Sequence, residues 1–188
     1  MKKLALPLVA LLALPLQGCF PIIATGVGAG ALMVEDRRTS GTYIEDQGIE
    51  LKAASRIDDE LKDQVHINVT SFNRNVLLTG EAQTDALKAR AEKIALGVPN
   101  ARSATNEIII ASPTSFASRS NDTYLTSKIK ARFIDANKFQ ANHVKVVTEN
   151  GIAYLLGLVK RKEAADAVEI ASTTGGVQKV VKVFEYID

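Results

Sequence analysis

Apolar and polar positions repeat along this chain in the same order twice. Residues 67–80, INVTSFNRNVLLTG, and 144–157, VKVVTENGIAYLLG, align at a constant offset of 77, and a histidine precedes each, His66 and His143. Both stretches run strand-like on either side of a short polar turn, so each predicts a β-hairpin, and Asn150-Gly151 is a strong two-residue turn signal. A segment of helical period precedes each hairpin. Ala53, Ile57 and Leu61 recur every four residues in the first, and Leu125, Ile129 and Phe133 take the matching places at an offset of 72, with Ala136 extending the core stripe. Asn121 or Asp122 offers an N-cap to the second of these helices. Beyond Gly80 and Gly157, ALKARAEKIA (86–95) and EAADAVEIA (163–171) predict helices with alanine and isoleucine on one side. Closing strands follow at ATNEIII (104–110) and VVKVFEYI (180–187). The predicted fold class is α+β, two tandem αββαβ units.

Each unit has about 65 residues, close to the lower limit for independent folding, so the two are expected to pack together. The organisation this implies is a signal peptide at 1–18, an apolar, glycine-rich linker at 19–44, a first domain at 45–111, a Ser/Thr/Pro-containing connector at 112–121 and a second domain at 122–188. The start has the pattern of an export signal: Lys2 and Lys3, then an apolar run at 4–16 too short to span a bilayer. It ends in LQGC, which resembles a bacterial lipobox, and Cys19 is the sole cysteine of the 188 residues. One cysteine excludes a disulfide within the chain. The lipobox resemblance implies that Cys19 carries a covalent lipid, a thioether-linked diacylglycerol with an N-acyl chain, and three chains tether stably where one holds only marginally. Phe20, where inner-membrane lipoproteins carry Asp, implies sorting to the outer membrane with the folded part facing the periplasm. Gly26, Gly28 and Gly30 lack the strand and the GKS or GKT of a phosphate loop.

The hairpins ending in Leu-x-Gly, the helices with Ile-Ala near their ends and the Gly-Val turn into the last strand resemble the BON domain. Two such domains behind a lipobox resemble the dual BON-domain outer-membrane lipoproteins of Gram-negative bacteria. SNDTYLTSKIK and VVTENG carry the resemblance most specifically, while GVPNARSAT departs from it. It implies that each domain is a small three-stranded mixed sheet with two helices on one face. It also implies no enzymatic activity, and binding of phospholipid membranes in support of envelope integrity.

Charge sharpens the expectation. The chain has 23 Lys+Arg against 21 Asp+Glu, and losing Lys2 and Lys3 with the signal leaves 21 against 21, so no basicity points to nucleic acid. The halves differ: residues 45–110 hold 8 basic and 11 acidic side chains, and 119–188 hold 11 and 8. At the offset of 72, Asp58, Asp59 and Glu60 correspond to Lys130, Ala131 and Arg132, and Lys52 to Tyr124. Opposite the core stripe of the second-domain opening helix lie Tyr124, Ser127, Ala131 and Ile134, flanked by Lys128 and Lys130. An aromatic ring and an isoleucine between lysines suit an interfacial helix, whose apolar groups enter the headgroup region while its cations meet phosphates. The expected ligands are anionic phospholipids such as phosphatidylglycerol and cardiolipin, with Phe116 and Arg119 extending the patch. The same face also suits a solvated helix side, a surface packed on the neighbouring repeat, or an adaptor for the machinery that assembles outer-membrane proteins. No catalytic residue, metal ligand set or cofactor other than the lipid on Cys19 is expected, since neither histidine has a Cys/His/Asp/Glu cluster beside it and no G-x-S-x-G, H-E-x-x-H or Walker motif occurs. Mass spectrometry of the membrane-extracted protein should find an N-terminal acylated peptide beginning at Cys19, absent in Cys19→Ser.

Overall fold

The computed structural model describes residues 36–112 and 116–188; Cys19, the signal and most of the linker lie outside the described residues. Helix α1 (Ser40–Leu61), strands β1 (Val65–Phe72) and β2 (Asn75–Ala82), helix α2 (Asp85–Leu96) and short strands β3 (Ser103–Asn106) and β4 (Ile109–Ile110) form the first unit. Helix α3 (Phe116–Ala136), strands β5 (Val144–Glu149) and β6 (Ile152–Val159), helix α4 (Arg161–Ser172) and strand β7 (Lys179–Tyr186) form the second. In each sheet the hairpin is antiparallel and the closing strand pairs in parallel with the hairpin's second strand. The first sheet's closing strand is split, because Ile108 turns inward to 1 % exposure between β3 and β4 while both halves pair with β2.

Two-residue turns close both hairpins, Asn73-Arg74 and Asn150-Gly151, with all four residues at positive φ, as the twist of tight hairpins requires. A buried aspartate from the opening helix holds each turn. Asp46 accepts the backbone N–H of Asn73 at 2.8 Å and of Arg74 at 2.7 Å. Asp122 accepts those of Asn150 and Gly151, both at 2.9 Å. Asp122 is therefore no N-cap: α3 begins six residues earlier, inside the stretch read as connector, just as α1 begins at Ser40 inside the stretch read as linker. Thr39 caps α1 by accepting the N–H of Thr42.

The matched aspartates also reset the helix alignment. Asp46 and Asp122 differ by 76, and at that offset Ile49, Ala53 and Ile57 correspond to Leu125, Ile129 and Phe133, all six buried. Arg56 and Arg132 then coincide, and both reach the C-terminal end of the following helix, Arg56 at the Gly97 carbonyl and Arg132 at the Ile170 carbonyl and the Thr174 hydroxyl. The offset of 72 was one helical turn out. Lys130, Ala131 and Arg132 correspond to Ala54, Ser55 and Arg56 rather than to an acidic triplet, and Tyr124 corresponds to Gly48. Ala136 is exposed, so the stripe ends at Phe133.

Glycine is required at the ends of the hairpins. A Cβ on Gly80 would stand 2.0 Å from the His66 carbonyl oxygen, and one on Gly157 would stand 2.4 Å from that of His143. No side chain fits between strands at such an approach.

Three apolar clusters result. Val76 and Leu78 face α1 and α2 in the first unit, and Ala153 and Leu155 face α3 and α4 in the second. The alternate residues point the other way and meet across the units: Phe72 and Leu77 join Tyr154 and Leu156 in a shared cluster edged by Val147, Val181 and Val183. Amides and carboxylates frame this seam. Asn68 donates to Glu149 at 2.6 Å, Asn150 to Glu81 at 2.7 Å and Asn73 to Glu185 at 2.9 Å, while Lys145 bonds Glu50 at 2.7 Å. Asp122→Ala removes two charge-assisted bonds and strands two backbone N–H groups, so urea unfolding should show a loss of about 3 kcal/mol in midpoint stability.

Candidate membrane-facing site

Helix α3 has its inner side fixed by Asp122, Leu125, Ile129 and Phe133, so the opposite side faces outward. Tyr124 is 63 % exposed and Ile134 is 67 % exposed. Ser127, Lys130 and Ala131 are exposed beside them, and Lys128 is half-buried. At ~100° per residue, Ile134, Ser127, Ala131, Tyr124 and Lys128 occupy one arc of about 120°. Lys128 is positioned rather than free: its Nζ donates to the Gly175 carbonyl at 3.0 Å and stands 5.9 Å from the centre of the Tyr124 ring. The Ser127 hydroxyl donates to the Thr123 carbonyl at 3.1 Å, which lowers the polarity the face presents. Asp135 is exposed near the helix end and is the face's acidic member.

One expected member falls elsewhere. Arg119 turns to the seam, with a guanidinium nitrogen 3.5 Å from Nε2 of His66, because α3 already runs through residue 119 and places it on the side of Asp122. It lines an inter-domain cleft of ≈ 430 Å³ together with Asn68, Thr126 and Glu149. Phe116 opens α3, and its side chain lies outside the described residues. Cys19 lies outside them as well. The face on α1 is different in kind: Leu51, 73 % exposed, replaces Ser127, and Asp58 replaces Ile134, so it has no aromatic group and carries an acid where α3 carries an isoleucine.

The α3 face ends in a second groove of ≈ 470 Å³, which sequence reasoning missed because its walls come from both units. Lys130, Ile134, Asn142, Val144 and Lys145 supply one side, and Arg38, Tyr43, Gln47 and Phe72 the other. The segment before α1 braces this end of the seam. Arg37 forms a bidentate pair with Glu163 at 2.6 and 2.8 Å and donates to the Leu158 carbonyl at 2.8 Å. Arg38, with its side chain 7 % exposed, pairs with Asp46 at 2.8 Å and lies 4.0 Å from the centre of the Phe72 ring. Among the described residues no group of three or more His, Cys, Asp or Glu stands where it could hold a metal ion, and no helix is long and apolar enough to cross a membrane.

Against this geometry, the BON domain model matches residues 45–112 and 121–188. The chain belongs to the BON-domain family and carries the domain twice. It is similar to "Outer membrane lipoprotein DolP" of Haemophilus influenzae, 37 % identical over 190 aligned residues that cover 100 % of this chain and 97 % of that protein, which makes it a dual BON-domain protein of the DolP type. It also resembles the "21 kDa hemolysin" of Actinobacillus pleuropneumoniae, 34 % identical over 81 % of this chain and 79 % of that one. "Osmotically-inducible protein Y" of Escherichia coli is 29 % identical over 83 % of this chain and 80 % of its own length.

The Arg37 pair sets a pH dependence. Its hydrogen bonds pull the Glu163 carboxyl down to about 2 from 4.5, aided by the backbone N–H of Lys160 and the charges of Arg37 and His143. A depressed carboxyl contributes stability that is complete above its unfolded value and is lost as pH falls through its folded one. Wild type should therefore be more stable than Glu163→Gln above pH 4.5, and their urea midpoints should converge as pH approaches about 2.

Proposed function

We propose that this protein is a non-enzymatic lipoprotein of the outer membrane, tethered through lipidated Cys19 and facing the periplasm. In that place it binds anionic phospholipid, phosphatidylglycerol or cardiolipin, through the outer face of α3 and supports envelope integrity. The observation that carries the reading is that Tyr124 and Ile134 are 63 % and 67 % exposed on one side of α3, next to Lys128 and Lys130, and are not spent on the inter-domain seam. Similarity to an outer-membrane lipoprotein across the whole chain supports the location.

The physics favours weak, reversible docking. Each lysine near an anionic surface contributes about 1 kcal/mol. A partly inserted tyrosine and isoleucine add apolar burial, and a tether turns the weak contact into an effective one by raising local concentration. Arg119 is not needed, since it turns toward the seam.

Vesicle sedimentation with unacylated protein (signal segment removed, Cys19→Ser) tests the face. Tyr124→Glu with Lys128→Glu should weaken binding to phosphatidylglycerol or cardiolipin vesicles by about tenfold or more, leaving the far-UV circular dichroism unchanged. Unchanged binding would place the lipid contact elsewhere, and saturable binding to a protein in lipid-free solution would favour the adaptor role.

A further inference from the structure

The outer edges of the two sheets end differently. In the first, Ile108 splits the closing strand into β3 and β4, and on the opposite edge Glu50 accepts the Ser71 N–H of β1. In the second, β7 runs unbroken from Lys179 to Tyr186 and pairs with β6 alone. We propose that this edge is a self-association surface, where β7 pairs antiparallel with β7 of a second copy of this chain about a two-fold axis at Phe184. The surface is separate from the outer face of α3, since α3 packs on β5 and α4 on β7.

Backbone direction opens the edge. Ile187 donates its N–H to the Val159 carbonyl, so in the alternation of a parallel pair the odd residues of β7 bond β6, while Val180, Lys182, Phe184 and Tyr186 turn N–H and C=O outward. Among the described residues no other element bonds those groups. Burial agrees: Val180, Val181, Val183 and Phe184 belong to the apolar clusters yet stay half-buried, whereas nearly all of β6 is buried. Such an edge is a template for another strand.

Charge selects a second copy as that strand. Lys179 and Lys182 stand in the first half of β7, Glu185 in the second and Asp188 just beyond, so the edge is positive at one end, negative at the other and neutral in sum. An antiparallel copy sets its negative end against the positive one, twice over by symmetry. The charges of α4 do not reverse this, because Glu169 is held by Lys138, and Arg161, 4.8 Å from the centre of the Tyr186 ring, is one base beside two acids. With the axis at Phe184, Lys182 stands opposite Tyr186 of the second copy and diagonal to its Asp188; an axis at Lys182 would oppose the two lysines. The ≈ 480 Å³ groove between α4 and β7, with Ala165, Val168 and Lys182 in its lining, leaves room for that tyrosine ring. The pairing uses the same edge on both copies, so this contact closes at two. A membrane tether would favour it by raising local concentration.

Sedimentation equilibrium of the unacylated protein (signal segment removed, Cys19→Ser), at concentrations rising to about 1 mM, should show a reversible monomer–dimer equilibrium. Over the same range amide exchange should slow at Lys182, Phe184 and Tyr186. Lys182→Pro removes an outward N–H and no bond to β6, so it should abolish the dimer while leaving far-UV circular dichroism unchanged. Lys182→Glu and Asp188→Lys should each weaken the dimer by roughly threefold or more, and the two together should restore it, which keeps the test decisive if the proline variant does not fold. A monomer at every concentration would overturn the proposal. So would a dimer indifferent to these substitutions, or one whose exchange protection appears away from β7.

Discussion

Two central strands with both faces covered are the constraint on which this molecule rests. In β2 and β6 nearly every residue is buried, which a sheet with helices on one side alone cannot achieve. Val76 and Leu78 look to the helices, whereas Leu77 looks to the other domain, and Ala153 and Leu155 alternate with Tyr154 and Leu156 in the same way. A domain of some 65 residues with Phe72 and Leu77 open to water would expose an apolar patch of the sort that drives association. The seam removes that patch from both sheets at once. Burial pushes the ionisation of the Tyr154 hydroxyl up to about 12, so the ring enters the cluster as a neutral group.

The polar frame gives the seam its register. Apolar contact alone would let two sheets slide, but Asn68 with Glu149 and Asn150 with Glu81 fix one relative position through bonds that cross in both directions. The arrangement has an electrostatic cost. Burial holds the Glu149 carboxyl above the usual carboxylate range, and the charges of Glu81 and Asp122 push the same way, against the pull of the Asn68 hydrogen bond and His66. Side-chain amides donate to two of these acids, Asn68 to Glu149 and Asn150 to Glu81.

Much of the fold was legible because the strands leave little freedom. Period-two alternation, the Asn-Gly turn and the glycines facing His66 and His143 determine where the hairpins must be, and a constant offset of 77 tied the two copies together. The helices were harder. An apolar stripe repeats every three or four residues, so a slip of one turn preserves it, and only a polar residue with a specific duty breaks the degeneracy. That residue is Asp46, whose duty is the turn it holds. The outer side of α3 followed from periodicity alone. Arg119 did not, since its direction depends on where the helix starts, and the groove could not be read at all, because Gln47 and Asn142 become neighbours only through the seam.

Arg37 and Arg38 are adjacent in the chain yet bound to different domains, the first to Glu163 and the second to Asp46. A single peptide bond thus acts as a rivet across the joint. The family's recurrent unit begins at residue 45, so these two side chains lie outside the part that recurs and still complete its interior. A fragment trimmed to the recognised boundary would keep every strand and both aspartate-held turns, but Asp46 would lose its counter-ion and Phe72 the guanidinium that covers its ring.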